Sequence, residues 1–315
     1  MKTTVGFPGL GIGDFTVNSE AVYLPVFGGL SIKWYGIIIA LGMVLAFVYA
    51  GYRAKKNDIK FDDVIDLGLF AVIFGVIGAR LYYVVSEVLA GKGSYKTFYD
   101  VIAIWEGGLA IYGGVIAGAL AVFITSKIKK MNFPLCADII LPGVMIAQAL
   151  GRWGNFFNGE AHGGLVSPGS PLYFLRMRLS HPHNIDMSAV EGLAEVHPTF
   201  LYESLWNVIG FVLINILWNK GKKKFDGEVG LWYVAWYGFG RMFIEGLRTD
   251  SLGNGGNFRI SQVVALVSML VAVGVIIWRR TVISKEAKAV ATVGDATTNE
   301  NNETTEKENE NGENN

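Results

Sequence analysis

The sequence predicts an all-α polytopic membrane protein: about seven transmembrane helices carrying a small extracytoplasmic head. Three observations predict it. Charged residues make up only 17% of the chain, against about 25% in soluble domains. Mean hydropathy is +0.38, with 51% of residues hydrophobic. The apolar residues gather into runs of roughly 20, the length that crosses a hydrocarbon core of about 30 Å as a helix.

Seven such segments lie near 34–52, 64–89, 106–126, 135–152, 198–218, 229–247 and 260–278. The connections between them sort by charge. RAKKNDIK (53–60), KIKK (127–130), NKGKKK (219–224) and RR (279–280) alternate with connections that hold scattered charges only. The positive-inside rule makes the first group cytoplasmic. The N-terminus is then outside the cell membrane and the C-terminus inside, with an odd number of spans between.

Around the 34–280 membrane domain, residues 1–33 are expected as an extracytoplasmic segment and 152–197 as the head insertion. The 152–197 connection is the longest, rich in Gly, Pro and His, and long loops are commonly functional. Residues 281–315 are expected as a disordered cytoplasmic tail. Its last part, ATTNENNETTEKENENGENN, has no apolar periodicity. The chain has 27 Lys+Arg and 27 Asp+Glu, but this tail holds much of the acid. The body is therefore basic, as suits anionic lipid headgroups. No nucleic-acid partner is expected. The single cysteine excludes an intramolecular disulfide and gives no redox compartment. No cleavable signal peptide is read, because the first apolar segment lies beyond residue 30 and is long enough to span.

Ionisable residues inside spans are costly and usually face a cavity or a partner. Here they gather toward the outer half: Arg80 in FGVIGARLYY, Glu106 at the start of the third span, Arg152 at the end of the fourth, Glu203 in HPTFLYESLWN, and Arg241 with Glu245 in WYGFGRMFIEGLR. Arg241 and Glu245 are four apart and share a helix face with Tyr237. They form either an ion pair that merely orients helices or part of a site. Arg80 alone could clamp a carbonyl, and Glu203 alone reads equally as structure. Arg152 opens GRWGNFFNGEAHGG (151–164), whose glycines let backbone approach a ligand. Its guanidinium can hold a phosphate in bidentate fashion. Several arginines near the outer leaflet suggest a phospholipid headgroup.

Other residues read as structure. Cys136 is a small packing residue, and GGLAIYGGVIAG carries small residues at helical spacing for close helix packing. His181 and His183 lack the companion carboxylates of a metal site. His197 caps or orients its loop or takes part in catalysis. Asn155 and Asn158 either satisfy loop backbone or face a ligand.

GRWGNFFNGEAHGG resembles the signature of the bacterial prolipoprotein diacylglyceryl transferases, GR-x-GNF-x-NGE followed by glycine. KWYG (33–36), GARLYY (78–83), WEGGLAIYGG (105–114), HPTFLYE (197–203) and YGFGRMFIEGLR (237–248) agree in order, and the likeness covers roughly 30–280. The resemblance implies transfer of the diacylglyceryl group of phosphatidylglycerol to the lipobox cysteine of a preprolipoprotein, with glycerol phosphate leaving. It implies that Arg152 binds the phospholipid, that Arg241 is essential beside Glu245 and Tyr237, and that Tyr35, Asn155 and Gly163 take part. Glu160, in the same signature, and Arg80 complete the expected phospholipid site. The expected catalytic group is Arg241, Glu245 and Tyr112. No metal or cofactor is expected. Many members carry histidine where this chain has Tyr112. A phenol titrates near 10, against about 6.5 for imidazole, so Tyr112 is a poor base and is expected to orient substrate. The rival reading is a lipid or solute transporter with arginines along its path. Transporters tend to show internal repeats, which this sequence lacks.

Overall fold

The computed structural model describes residues 2–25, 29–92, 95, 97–182, 185, 187, 190, 192–249 and 259–312, the last of these from 288 by backbone only. Strands β1 (Lys2–Phe7), β2 (Ile12–Asn18), β3 (Glu20–Leu24) and β4 (Leu30–Lys33) lead into helices α1 (Trp34–Lys55), α2 (Phe61–Leu89), the short α3 (Phe98–Ile102), α4 (Ile111–Ile128) and α5 (Phe133–Asn158). Strands β5 (Met177–Leu179) and β6 (Ala194–Val196) precede α6 (Thr199–Asn219), α7 (Glu228–Leu247) and α8 (Ile260–Gly312).

Six helices are long and apolar enough to cross a membrane: α1, α2, α4, α5, α6 and residues 260–287 of α8. The sixth expected segment, 229–247, forms the 20-residue α7, whose Trp, Tyr and Gly residues and whose Arg241 and Glu245 keep it outside that set. The small residues pack as expected. A Cβ on Gly113 of α4 would stand 2.3 Å from the carbonyl oxygen of Gly78 on α2, so only glycines allow this approach.

Three boundaries differ from the sequence expectation. The third helix starts at Ile111, because Ile104–Glu106 form a 3-10 turn and Gly107 and Gly108 take positive φ (92° and 73°), which breaks a helix. The side chain of Glu106 lies outside the described residues. The fourth helix runs on to Asn158, so half of the glycine-rich signature is helical. Gly159 then stops it as a left-handed cap (φ 67°) whose N–H bonds the Phe156 carbonyl. At the C-terminus the helix continues past 280 to at least Ala287, through Lys, Glu and Ala, which favour helix. The backbone stays helical to Gly312, across residues expected as a disordered tail, and the side chains from 288 lie outside the described residues.

A four-stranded sheet in the order β2-β1-β5-β6 caps one end of the bundle. The N-terminal hairpin pairs Thr3 with Val17, and Val5 of β1 pairs with Leu179 of β5. Alternating β-branched and aromatic residues turn Val5, Phe7, Val17, Met177, Leu179 and Val196 onto one core with Phe156 of α5 and Phe200 of α6. The head is thus built jointly by the N-terminal segment and the 159–197 connection, and it rests on the ends of α5 and α6.

Candidate active site

Beneath that sheet, α5, α6 and α7 bring together charges that the sequence disperses. Arg152 Nη2 of α5 lies 2.6 Å from Glu203 Oε2 of α6. Arg241 of α7 bridges two carboxylates, with Nη1 2.7 Å from Glu203 Oε1 and Nη2 2.5 Å from Glu245 Oε2. Arg248, just past α7, stands 3.6 Å from Glu203 and 3.9 Å from Glu245. Three guanidinium groups therefore face two carboxylates, leaving one positive charge in excess. The carboxylate side chains are 4% and 3% exposed, whereas Arg152 and Arg241 are 20% and 18% exposed. A ligand reaching the network meets cations, with their counter-charges behind them. In a site of low dielectric this excess attracts an anion far more strongly than it would in water.

The start of α8 supports the arrangement. Ser261 Oγ donates to Glu245 Oε1 at 2.8 Å, and the Arg259 guanidinium donates to the carbonyl oxygens of Glu245 and Arg248. Gly163 threads between α6 and α7. Its N–H bonds the His197 carbonyl at 2.8 Å, and the Gly164 N–H bonds that of Leu247 at 2.9 Å. A Cβ on Gly163 would stand 2.7 Å from both His197 Cβ and the Leu247 oxygen. The residue is glycine because two helix ends close on it. His162 beside it is 1% exposed, its Nδ1 2.9 Å from the Gly163 carbonyl.

A family model described as prolipoprotein diacylglyceryl transferase matches residues 21–278. The chain belongs to the prolipoprotein diacylglyceryl transferase family. It is 44% identical over 253 residues to the phosphatidylglycerol–prolipoprotein diacylglyceryl transferase of Listeria welshimeri, covering 80% of this chain and 87% of that one. The proteins of the same name from Lactobacillus acidophilus (45% over 257 residues, 81% and 89%) and Streptococcus agalactiae (42% over 266 residues, 84% and 96%) are similar to it. As a member of this diacylglyceryl transferase family, the chain is a transferase embedded in the membrane.

The remaining expected residues of the transferase fall into two groups. Beside Arg152, Glu160 Oε1 accepts from Asn155 Nδ2 (3.1 Å) and Asn158 Nδ2 (3.0 Å). The Tyr35 ring lies against Gly154, where a Cβ would stand 2.7 Å from its Cδ2, and its phenol is within electrostatic reach of Glu160 and Arg152. Near Arg241, Tyr237 stacks on Tyr233 at 5.9 Å, and Tyr112 is within reach of Arg241, Glu245 and Tyr237.

Arg80 stands apart from the ion network. Its nitrogens donate to the carbonyls of Asp100 (2.7 Å), Val101 (2.8 Å), Gly107 (2.7 Å) and Gly108 (3.2 Å). It clamps the connection that delivers Tyr112 to the start of α4.

Sequence reasoning missed Arg248, Arg259 and Gln148. Gln148 lies one turn before Arg152, donates to the Tyr233 hydroxyl at 3.1 Å, and leaves a buried Oε1 with no hydrogen-bond partner among the described residues. Its four-residue spacing from Arg152 was the available signal. Cys136 packs in a core with Leu67 and Val122. His181 Nδ1 lies 2.9 Å from Ser180 Oγ, and His183 is outside the described residues. Among the described residues no three His, Cys, Asp or Glu side chains are grouped to hold a metal ion.

Proposed function

We propose that the chain transfers the diacylglyceryl group of phosphatidylglycerol to the lipobox cysteine of a preprolipoprotein, the first step of lipoprotein maturation. The cysteine sulfur, its proton lost, attacks the sn-3 carbon of the glyceryl group. A carbon–sulfur bond forms, the carbon–oxygen bond to phosphate breaks, and the electron pair leaves with glycerol phosphate. Free cysteine titrates near 8.5, so the nucleophile needs little activation. The larger demand is the charge on the departing phosphate, which preorganised guanidinium groups stabilise in a dry site.

Arg152 and Arg241 hold that phosphate. Glu203 and Glu245 aim the two guanidinium groups, and Arg248 beside them leaves the site one charge positive. Tyr35, Asn155 and Glu160 line the headgroup on the Arg152 side, and Tyr112 and Tyr237 on the Arg241 side. Gly163 and Arg80 act through backbone, the first by seating α6 against α7 and the second by seating α4. The cationic connections between helices support a cytoplasmic far end, with the β-sheet head and the N-terminus outside the cell membrane and the C-terminus within.

The observation that carries the reading is the Arg152–Glu203–Arg241–Glu245 chain, with the excess positive charge that Arg248 adds to it, in a member of this family. The test is incubation of purified protein with phosphatidylglycerol and a lipobox peptide. The expected result is a mass gain of one diacylglyceryl group on the peptide cysteine; an unmodified peptide with folded protein would overturn the proposal.

A further inference from the structure

At the opposite end of the bundle, α6, α7 and α8 leave a groove of about 440 Å³. Glu203 lies near the start of α6 and Leu217 near its end, which at 1.5 Å per residue separates groove and ion network by about 20 Å along the helix. Leu217, Trp232, Val273, Ile276 and Ile277 line the groove, and Lys222 and Arg280 stand with them. Leu217 is 42% and Ile277 61% exposed. The volume is that of a ligand site, about 300–1,000 Å³.

The two cations differ in their engagement. Arg280 Nε pairs with the buried Glu228 at 2.5 Å, and its Nη2 donates to the Lys222 carbonyl at 3.1 Å. These contacts hold it in place. Lys223 next door is committed to Asp138 (2.9 Å) and Asp226 (2.8 Å). Lys222 Nζ enters no ion pair among the described residues. Two cations against one carboxylate leave the groove positive.

We propose that this groove binds an anionic phospholipid from the leaflet opposite the catalytic centre. Its phosphate lies on Lys222 beside Arg280, and its acyl chains follow Leu217, Trp232, Val273, Ile276 and Ile277. An apolar trough with a cationic end matches that chemistry, and basic pockets between helices bind anionic headgroups. An extended peptide would need partners for its backbone groups within the membrane, and the apolar walls supply none. The bound lipid staples α8 to α6 and α7. Because α8 carries Ser261, which bonds Glu245, occupancy supports the catalytic arrangement from afar.

The test uses the full chain in detergent, with phosphatidic acid or phosphatidylcholine added at equal concentration and retained lipid counted by native mass spectrometry. Phosphatidylglycerol is avoided because it is the proposed substrate. Wild type should retain phosphatidic acid over phosphatidylcholine by about fivefold, equivalent to about 1 kcal/mol of attraction by a basic side chain. Lys222→Gln should lower that preference, and Ile276→Trp, which fills the trough and keeps the charge, should lower retention of the anionic lipid. Arg152→Ala should leave the preference in place. An unchanged preference in Lys222→Gln, full retention in Ile276→Trp, or loss in Arg152→Ala alone would overturn the proposal. The measurement needs no transferase activity, so its outcome is independent of the proposed reaction.

Discussion

Arg152 near the end of α5 and Glu203 in the second turn of α6 meet at 2.6 Å, and the other oxygen of the same carboxylate meets Arg241 at 2.7 Å. Glu203 is thus the hinge pin between the two arginines. Its side chain is 4% exposed, so removing its charge takes the ion-pair partner from Arg152 and leaves Arg241 with Glu245 alone.

Arg152→Ala is expected to abolish transfer. Arg152→Lys should rescue little, because a point charge cannot serve Glu203 and a phosphate at once as the planar fork does. Glu203→Gln should lower both activity and thermal stability, the latter by about 3 kcal/mol as for a broken buried pair. Thioether formation and melting in detergent check these, and near-normal turnover in the lysine variant would remove the bidentate role.

Arg241 and Glu245 pair across one helical turn at 2.5 Å. Arg241→Ala and Glu245→Ala should each cost about as much as the double variant, as in groups that act as one unit. Rates that fall additively would show that each acts alone.

Tyr112→Phe should slow transfer by about 10-fold, the order of one lost neutral hydrogen bond. A general base contributes about 10²–10⁴-fold. Rates of thioether formation from about pH 6 to 9 decide the matter. A loss of about a thousandfold that recovers as pH rises would make Tyr112 the base.

Gly163→Ala places a Cβ 2.7 Å from His197 Cβ and from the Leu247 oxygen. The expected cost is about 1–3 kcal/mol of stability, typical of overpacking. Activity should fall in parallel, because α6 and α7 carry Glu203 and Glu245. A lowered affinity for phosphatidylglycerol at unchanged melting temperature would instead make Gly163 a ligand contact.

His197, between β6 and α6, has its pKa lowered by burial. The folded state therefore resists the proton that the unfolded chain takes up near pH 6.5. Well above that value the ring is neutral in both states and costs nothing. As pH falls through about 6.5 stability declines, and the decline ends once pH passes the lower folded value. His197→Gln should flatten this part of the pH profile, read as melting temperature at about pH 7.5 and pH 5.5. Parallel profiles for the two proteins would refute it.

Much of the fold was legible because a bilayer of fixed thickness turns helix existence into a matter of run length. All seven expected segments are helices. Arg241 with Glu245 was legible too, since helical spacing is a property of neighbours along the chain. Boundaries were less so. The polar end of GRWGNFFNGE reads as loop, yet helix persists until Gly159 takes a left-handed φ.

Run length, motif and spacing were enough to give the membrane-spanning helices, the family signature around Arg152, and the four-residue pair in α7. Helix and strand packing is what brings both Arg152 and Arg241 to Glu203, sets Arg80 on the carbonyls ahead of α4, and pairs β1 with β5 to make the head. The reason is physical. Periodicity and length record how each segment meets lipid or water. Which charge meets which depends on helix packing and on long-range strand pairing, whose partners lie far apart in the chain.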